Sequence, residues 1–386
     1  MRTEYELGEL LEYEQPTKYA VESTKYDDKY STPVLTAGKS FILGYTNETN
    51  GIYDNLPVII FDDFTTATQY VNFKFKVKSS AMKILKSDEK LALTKYLYYL
   101  MQTIHCDHDT HKRYWIQTYS KIRVAIPDIT EQQRVVDKIE ELFSKLDKGV
   151  EELNKIKEQL KIYRQAVLKE AFEGVFCAKN IHPQIVRISE VVKNDKNALK
   201  AGPFGSSLKK EMYVKNGYKI YGQEQVIAGN ENVGDYYIDE NKYKELISCK
   251  IAPNDILISL VGTVGKVLIL SANCKPGIIN PRLIKVSLDE NKMLPKYFKY
   301  YFESGYLRSL YKQKVHGATM DVLNMSMIKE LPFPIYPISE QEKIICEIES
   351  RFSVCDKIEQ TVNESLQKAE SLRQSILKQA FEGKLV

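Results

Sequence analysis

The sequence predicts an α+β protein: two α/β domains separated by two long helices that pair as an antiparallel coiled coil, in a pseudo-two-fold internal repeat. Three observations support this prediction. Two segments of the chain are related copies, each copy has an apolar residue at every seventh position, and the remaining sequence consists of short apolar runs between turns. Together they indicate paired helices that carry two β-rich domains.

The repeat relates residues 131–174 to residues 340–383 at a constant offset of 209, with no insertion. Identical residues occupy 17 of the 44 aligned positions. Chance does not produce this degree of identity, so the repeat indicates a duplicated structural element.

Both copies have the start and stop signals of one uninterrupted helix. A proline precedes the start, a Ser/Thr N-cap is followed three residues later by Gln or Glu, and a glycine marks the end. These residues are Pro127, Thr130, Gln133 and Gly174 in the first copy and Pro337, Ser339, Glu342 and Gly383 in the second.

The apolar residues between these signals follow a heptad pattern, which is typical of a coiled coil. A helix of this length spans roughly 65 Å and needs an apolar partner, most simply its own duplicate. The alternative is that each helix packs only on its own domain. The predicted coiled-coil positions are Ile139, Leu146, Leu153, Leu160, Val167, Ile348, Cys355, Val362, Ala369 and Ile376.

The globular parts correspond more loosely. YELGELL near Tyr5 resembles VRISEVV near Val186, at an offset of 181, so the first part is 28 residues shorter than the second. We expect strands in the apolar runs and helices in two aromatic-rich segments. The strand segments are 56–64, 70–77, 255–262, 266–270 and 282–288, and the helical segments are 95–101 and 296–311. The predicted domains are 1–128, the central long helix 129–180, the second domain 181–337 and the distal long helix 338–386.

Composition excludes several protein classes. No apolar run approaches 18 residues, the first ten residues lack an apolar core, and the six cysteines form no CxxC pair. We therefore expect a cytoplasmic protein with reduced thiols, no membrane segment and no structural zinc.

Charge is unevenly distributed along the chain. Residues 1–127 carry 16 basic and 16 acidic groups, whereas residues 181–337 carry 22 and 15. A basic surplus suits a nucleic-acid surface, although a solvated lysine-rich face would look the same.

No catalytic site emerges from the motifs. HCDHDTH (105–111) has the ligand types of a metal site but is favoured as a polar surface loop, so we predict no metal. FDDF (61–64) has no lysine at nuclease spacing. NPRL (280–283) has no preceding glycine-rich cofactor loop, and GTVGK (262–266) fits a tight turn between strands better than a phosphate loop.

The repeated motifs resemble those of a known family, the specificity subunits of type I restriction–modification systems. Each copy has a proline before Glu-Gln, then FSxxDK, then LKxAFEG: Glu131, Gln132, Phe143, Ser144, Asp147 and Lys148 in the first, Glu340, Gln341, Phe352, Ser353, Asp356 and Lys357 in the second. The resemblance covers essentially the whole chain. It includes GPFGSSLKK (202–210), SLVGTVGKV (259–267) and HGAT (316–319), and in the first domain PVLTAGKSFILGYT (33–46), residues 58–85 and HKRYWIQ (111–117).

The resemblance implies two target-recognition domains that each read one half of a split double-stranded DNA sequence, with the paired helices as a ruler. It implies two modification (methyltransferase) subunits that bring S-adenosylmethionine for N6-adenine methylation. A restriction/translocase subunit would supply ATP- and Mg²⁺-dependent cleavage. The specificity subunit itself is then not an enzyme and holds no cofactor.

We expect direct base contacts, with lysine and arginine positioning phosphates. Trp115 is expected in the core. Asp62 and Asp63 would face phosphates unfavourably unless they bind base amino groups or local threonine hydroxyls. Gln223, Glu224 and Gln225 either read bases or only cap a turn. The predicted DNA-binding residues are Lys39, Ser40, Tyr45, Thr46, Thr65, Thr66, Lys78, Ser79, Ser80, Lys112, Arg113, Tyr114, Ser206, Ser207, Lys209, Lys210, Gln223, Glu224, Gln225, Lys266, Arg282, His316 and Thr319.

Two alternatives stay open. The chain could be a non-DNA scaffold, with two binding domains on a coiled-coil strut, or the specificity subunit of a methylation-only system. Neighbouring genes for an amino-methyltransferase and an ATP-dependent translocase discriminate between them.

Overall fold

The computed structural model of the chain describes residues 2–36, 40–104, 114–178, 180–260, 265–305, 307 and 325–385. The chain forms two compact units: Met1–Asn154 with Asn363–Val386, and Lys155–Val362. Each unit therefore combines a globular part with half of each long helix. No helix within the described ranges is long and apolar enough to cross a membrane.

The first globular part is β-rich and precedes the first long helix, α4. Its elements are β1 Thr3–Glu6, α1 Leu7–Leu10, β2 Leu11–Glu14, β3 Thr32–Leu35, β4 Ile42–Thr46, β5 Val58–Asp62, β6 Thr68–Val71, β7 Lys76–Val77, β8 Met82–Ser87, α2 Thr94–Met101, α3 Tyr114–Gln117, β9 Arg123–Ile126 and α4 Ile129–Phe172.

The second globular part follows α4 and precedes the second long helix, α9. Its elements are β10 Gln184–Val186, β11 Leu199–Ala201, β12 Tyr218–Tyr221, α5 Gln223–Ala228, β13 Tyr237–Ile238, α6 Glu240–Glu245, β14 Ile256–Ser259, β15 Val267–Ile269, β16 Gly277–Ile279, β17 Leu283–Val286, α7 Pro295–Glu303, α8 Met325–Glu330, β18 Phe333–Ile335 and α9 Ile338–Phe381.

The two globular parts have the same strand topology. The antiparallel sheet β2-β8-β5-β6 corresponds to β11-β17-β14-β15, and the mixed sheet β4-β3-β7 corresponds to β13-β12-β16. Each mixed sheet contains one parallel pair of strands. This pair is β3 with β7 in the first unit and β12 with β16 in the second. The repeat therefore includes the globular parts, although their sequences diverge.

The first strand of each part confirms the correspondence at offset 181. Tyr5 of β1 pairs with Val124, and Val186 of β10 pairs with Phe333. A glutamate closes the turn after each strand by accepting the backbone N–H three positions before it. Glu9 accepts from Glu6, and Glu190 accepts from Arg187.

A further repeat, at offset 201, was missed from the sequence. α2 and α7 begin with related residues and dock on the long helices through equivalent contacts. These are the ion pairs Lys95–Glu140 and Lys296–Glu349, at 2.6 and 2.7 Å, and the edge-to-face ring pairs Tyr96–Phe381 and Tyr297–Phe172, at 5.2 and 5.3 Å.

Both long helices begin two residues earlier than predicted. The Asp128 carboxylate accepts the backbone N–H of Glu131 at 2.9 Å, so Asp128 caps α4 and the N-cap predicted at Thr130 is wrong. Ser339 likewise lies inside the first turn of α9. The predicted stop signals are confirmed, because Gly174 and Gly383 adopt φ values of +85° and +74° just beyond the helix ends.

Buried glutamines attach each long helix to its globular part. Gln132 accepts the backbone N–H of Leu93 at 2.9 Å and donates to two carbonyls, those of Leu91 and Pro127. Gln341 makes the same three contacts in the second unit: Leu294 N–H, and the carbonyls of Lys292 and Tyr336. Both side chains are fully buried.

The predicted pairing of the long helices is confirmed. Every predicted coiled-coil position is buried or half-buried. In the first unit Arg373 of α9 forms an ion pair with Asp147 of α4, and its guanidinium lies 4.2 Å from the Phe143 ring centroid.

The second unit contains the same contact among the repeat-related residues. Phe352, Asp356 and Arg164 take the places of Phe143, Asp147 and Arg373. Arg164 pairs with Asp356 at 2.7 Å and lies 5.1 Å from the Phe352 centroid. Arg351 pairs with Glu170 at 3.1 Å. The partner of Arg164 is Asp356, whereas the partner of Glu170, further along α4, is Arg351, which comes earlier in α9. The two helices are therefore antiparallel here. The repeated Phe, Asp and Arg residues thus set the register of the helix pair.

Two predicted elements are wrong in extent. Segment 70–77 forms two strands, β6 and β7, that belong to different sheets. The helix predicted over 296–311 ends at Glu303, because Ser304 adopts an extended conformation with ψ 148°. Trp115 is 1% exposed and packs on Phe61, which confirms its place in the core.

Candidate DNA-recognition surface

Four loops of the second unit meet at one end of its strands. β11, β14 and β16 all end where β17 begins, and β12 ends beside β16 because the two strands are parallel. The segments that follow are the loop 202–210, Gly222 with the short helix α5 (222–228), the described part of the 260–266 hairpin and the turn 280–282. We call these four segments the edge loops, and together they form the second-unit edge.

Gly202 brings loop 202–210 into direct contact with the turn 280–282. A Cβ at Gly202 would lie 1.8 Å from the Asn280 carbonyl oxygen, so no other residue fits there. The Gly202 N–H also donates to the Leu283 carbonyl at 3.0 Å. Loop 202–210 is thereby fixed against the turn between β16 and β17.

Gln223 and Arg282, both predicted DNA-binding residues, contact each other. The Arg282 guanidinium donates to the Gln223 side-chain oxygen at 3.3 Å, and the Gln223 amide group donates to the Ser259 hydroxyl at 3.1 Å. The Asn280 side chain accepts the Arg282 backbone N–H at 2.9 Å, which fixes the turn. Arg282 is exposed and Gln223 half-buried, so the pair presents hydrogen-bonding groups to solvent.

Gln225 has an internal role. It is fully buried, accepts the Gly222 N–H at 2.7 Å and donates to the Val233 carbonyl at 2.6 Å. The turn-capping alternative therefore describes Gln225, and we leave it out of the proposed surface. Glu224 stays half-buried at the edge.

The remaining predicted residues of this unit that the structure describes lie on the edge loops. Lys209, Lys210 and Ser206 are exposed and Ser207 is half-buried. Lys266 is exposed directly before β15, the antiparallel neighbour of β14, and it donates to the Ile227 carbonyl at 3.4 Å. GTVGK thus connects two paired strands as expected, although its residues 262–264 lie outside the described residues. His316 and Thr319 lie outside the described residues.

The strands beneath the edge carry perturbed side chains. Burial raises the pKa of Tyr221 well above its ordinary value, so its hydroxyl stays protonated and donates to the Lys275 carbonyl at 2.8 Å. Burial also lowers the pKa of Lys219, whose ammonium lies 5.8 Å from the Tyr221 ring centroid. The Tyr221 hydroxyl ties β12 to the residues that precede β16, whereas the lowered pKa of Lys219 shows that burial disfavours its charge.

The first unit has a corresponding edge, formed by the loops after β3, between β5 and β6, and between β7 and β8. We call it the first-unit edge. The end of β5 pairs with the start of β8, and β3 and β7 run parallel, so these loops meet. The predicted residues that lie there are Ser40, Thr65, Thr66, Lys78, Ser79 and Ser80.

Two other predicted residues lie at the opposite end of their sheet. Tyr45 and Thr46 end β4, and Thr46 pairs with Thr32 at the start of β3. Thr46 is 2% exposed, and its hydroxyl accepts the Glu48 N–H at 3.2 Å. Neither residue can join the first-unit edge.

The acidic pair of FDDF is satisfied internally. Asp62 accepts the backbone N–H of Phe64 at 2.9 Å, whereas Asp63 accepts that of Trp115 at 2.9 Å and lies 3.6 Å from the Lys83 ammonium. Asp62 also accepts the backbone N–H of Thr65 at 3.4 Å, which is an amide contact and not the threonine-hydroxyl contact considered from the sequence. Both aspartates are buried and bonded within their own unit.

Some predicted residues cannot be placed on either edge. Tyr114 is 6% exposed, with its backbone N–H donating to Asp63, so its ring belongs to the core. Lys39, Lys112 and Arg113 lie outside the described residues, as does HCDHDTH. Among residues that the structure does describe, no group of three or more His, Cys, Asp or Glu could hold a metal ion.

Sequence reasoning missed three residues of the second-unit edge. Ser259 and Asn280 orient Gln223 and Arg282, and Phe204 is 89% exposed on loop 202–210. The signal for Phe204 was available, because an aromatic residue between two glycines, GPFG, has few neighbours to cover it. The other two depend on strand pairing that the sequence does not display.

Comparison with known proteins agrees with this architecture. The family model described as type I restriction modification DNA specificity domain matches residues 184–368. The type I restriction enzyme EcoR124I/EcoR124II specificity subunit of Escherichia coli is 34% identical over 384 residues, covering 95% of this chain and 90% of that protein. The StySPI specificity subunit of Salmonella potsdam is 27% identical over 283 residues, covering 69% of this chain and 58% of that protein.

Solved structures share the fold. One is a chain from a study of complex assembly and conformational transition in the type I R-M system, with a TM-score of 0.69, 14% identity, and coverage of 99% of this chain and 100% of that one. Another is the HsdS subunit from Thermoanaerobacter tengcongensis, with a TM-score of 0.50, 16% identity, and coverage of 100% and 97%. On the strength of the Escherichia coli relative, which it matches over nine-tenths of that protein's length, the chain belongs to the family of type I restriction–modification DNA specificity subunits.

Proposed function

We propose that each unit of this specificity subunit reads one half of a split DNA sequence, and that the long helices set the distance between the halves. One observation carries the proposal: two globular parts of identical strand topology present loops at the same strand ends, but with different polar side chains on them. A shared scaffold with divergent loops suits two readers of different sequences.

The subunit then acts without chemistry of its own. Two modification subunits bind S-adenosylmethionine and methylate adenine N6, while a restriction/translocase subunit uses ATP and Mg²⁺ to cleave unmodified DNA. The complex works in the cytoplasm, where its DNA substrate is. A methylation-only system would lack the translocase, and its gene neighbourhood would show this.

Base reading by the second unit relies on Gln223 and Arg282. An arginine pairs bidentately with guanine O6 and N7, and a glutamine amide pairs with adenine N6 and N7. Their mutual hydrogen bond, with support from Asn280 and Ser259, holds both side chains ready at the edge. Groups already ordered lose less entropy on binding DNA.

Phosphate contacts come from the exposed cations around this pair. Lys209, Lys210 and Lys266 are exposed, and Ser206 adds a hydroxyl. Such contacts fix the register of the protein on the duplex without reading sequence.

The first unit presents a different chemistry. Its edge is rich in hydroxyl groups, from Ser40, Thr65, Thr66, Ser79 and Ser80, with Lys78 as an exposed cation. Hydroxyls donate to or accept from several bases. We include Lys39, Lys112 and Arg113 among the phosphate contacts of this unit.

Substitution of the two kinds of residue gives different results. Arg282→Ala should weaken binding to the cognate half-site by about 10- to 100-fold and relax specificity at one base pair. Lys209→Ala and Lys266→Ala should weaken binding to all sequences and each reduce the salt slope by about 1. Fluorescence anisotropy at several salt concentrations, with the chain in complex with its modification subunits, measures both effects.

Lys244→Ala is the matched control, because Lys244 is exposed but pairs with Glu240 on α6, away from the edge loops. A non-DNA scaffold would show no salt-dependent binding to duplexes at all. If Lys209→Ala and Lys266→Ala leave affinity and salt slope unchanged, the second-unit edge is not the DNA surface.

We also propose that the modification subunits dock on a groove that occurs once in each unit. In the second unit a cavity of about 610 Å³ is lined by apolar residues, including Ile162 at 70% exposure and Ile185 at 62%. In the first unit a cavity of about 590 Å³ is lined by the residues 209 positions further on. Five positions are shared: Gln165, Ala166, Lys169, Phe172 and Glu173 in the second unit, and Gln374, Ser375, Lys378, Phe381 and Glu382 in the first. Duplication of one groove suits two identical partners.

Two charged residues in the groove of the second unit should prevent one modification subunit from docking. The double variant Ile162→Asp, Ile185→Asp should bind a single modification subunit where the unsubstituted chain binds two, because desolvating two carboxylates opposes docking. Mass photometry counts the subunits. Val354→Asp is the control, since Val354 is 57% exposed on α9 and does not line this groove. Retention of both copies by the double variant would contradict the assignment.

A further inference from the structure

Phe204 is the most exposed of the large apolar side chains that the structure describes, at 89%. Exposure of a single apolar residue is common on protein surfaces and proves nothing alone. What distinguishes Phe204 is the rigidity of its loop and the chemistry of its neighbours.

The loop is fixed on both sides of Phe204. Pro203 is buried, Gly202 packs directly against the Asn280 carbonyl, and Leu208 enters the core at 6% exposure. The Ser207 N–H donates to the Phe204 carbonyl at 2.8 Å, which closes a turn immediately after the aromatic residue. Because Gly202 and Pro203 on one side and Leu208 on the other are anchored, the backbone holds the Phe204 ring out in solvent.

The surroundings of the ring suit a nucleic acid. The loop that carries Phe204 also carries Ser206, Lys209 and Lys210, and it contacts the turn that carries Arg282. Gly205, the next residue, has open space where a side chain would be. A backbone or a base can approach closely at that point.

We propose that Phe204 stacks its ring on a base of the half-site that the second unit reads, at a step that unstacks locally to admit it. The proposal rests on the proposed DNA-reading function of this edge. Apolar side chains that enter a base step kink or open the duplex there, and aromatic rings stack on bases without regard to sequence. Phe204 would thus position the half-site while Gln223 and Arg282 read it.

The test uses the full chain in complex with its modification subunits and duplexes that carry 2-aminopurine at successive positions of the half-site. The unsubstituted complex should increase the fluorescence at one position other than the methylated adenine. Phe204→Ala should abolish that increase and weaken affinity by about 10- to 100-fold. Phe204→Trp should preserve both. Because Phe204 is exposed, the thermal stability of the chain should not change.

Tyr163→Ala is the control, because Tyr163 is 46% exposed on α4 and belongs to no edge loop. Unchanged affinity and fluorescence in Phe204→Ala overturn the inference. Loss of affinity without any fluorescence change at any position also overturns it, because the ring then makes an apolar contact without stacking. Failure of the unsubstituted complex to discriminate its half-site would instead contradict the proposed function.

Discussion

Replacement of Gln132 by leucine should destabilise the first unit by about 3–6 kcal/mol. The substitution keeps most of the side-chain volume but removes the side-chain partner of three backbone groups. The Pro127 carbonyl makes a buried contact, and the Leu93 N–H and the Leu91 carbonyl make partly buried ones. A buried group left unpaired costs about 1–3 kcal/mol, and the two partly buried groups lie toward the lower end of that range, which gives the total of about 3–6 kcal/mol. Urea unfolding followed by tryptophan fluorescence measures the effect in this unit, because Trp115 is the chain's one tryptophan and lies in the core of that unit.

The adjacent glutamine provides the control. Gln133 is exposed, and its side-chain amide donates to Asp137, one turn further along α4. Gln133→Leu should change the free energy of unfolding by about 0.5 kcal/mol or less. Equal destabilisation by the two substitutions would mean that burial of the Gln132 hydrogen bonds does not attach the helix to its globular part.

Insertion of one heptad into both long helices should lengthen the unread DNA spacer. Residues 148–154 and 357–363 can each be duplicated at the point where the chain passes between its units, next to Asn154 and Val362. Seven residues add about 10 Å of helix, which corresponds to roughly three base pairs. A full heptad preserves the apolar stripe, so the helices remain paired.

Binding to a series of duplexes with increasing spacers measures this. The optimum should move to longer spacers while both half-site sequences stay the same. A two-residue insertion rotates the apolar stripe by about 200° and serves as the control, because it should disrupt the pairing. An unchanged spacer optimum, or altered half-sites, would exclude the long helices as the ruler.

The long helices could be predicted from the sequence because their signals are local. The heptad pattern, the final glycines and the repeat all lie within one segment, and the helices end as expected at Phe172 and Phe381. The predicted start of α4 was wrong because both Asp128 and Thr130 can serve as the N-cap. Asp128 offers a carboxylate two positions before Thr130, and a charged acceptor at a helix N-terminus is favoured by the helix dipole as well.

The recognition edges could be predicted only in part, since they depend on non-local strand pairing. Gln223 and Gln225 are two residues apart with the same side chain, yet one is at the surface and the other fully buried. The difference comes from the Val233 carbonyl, eight residues away, which accepts the buried amide. Thr46 failed for a similar reason, because the register of β4 on β3 places it at the wrong end of its sheet.

The equivalence of the two globular parts could be read from their sequences only in part, because they share little beyond their first strand and one helix. Their identical strand order appears only when hydrogen-bonded neighbours are compared. Because apolar strands tolerate many substitutions that keep the pattern, a fold persists after its sequence identity is lost.

Methylome sequencing of a host that carries this chain with its modification subunits tests whether each unit reads one half-site. One strain should have the unsubstituted chain, and another a chain whose second-unit edge loops come from a different specificity subunit. If each unit reads one half-site, the first strain should have one bipartite motif with N6-methyladenine. In the second strain only one half of that motif should change, with the spacer retained. A motif that is continuous, or one whose two halves both change, would contradict the assignment of one half-site to each unit.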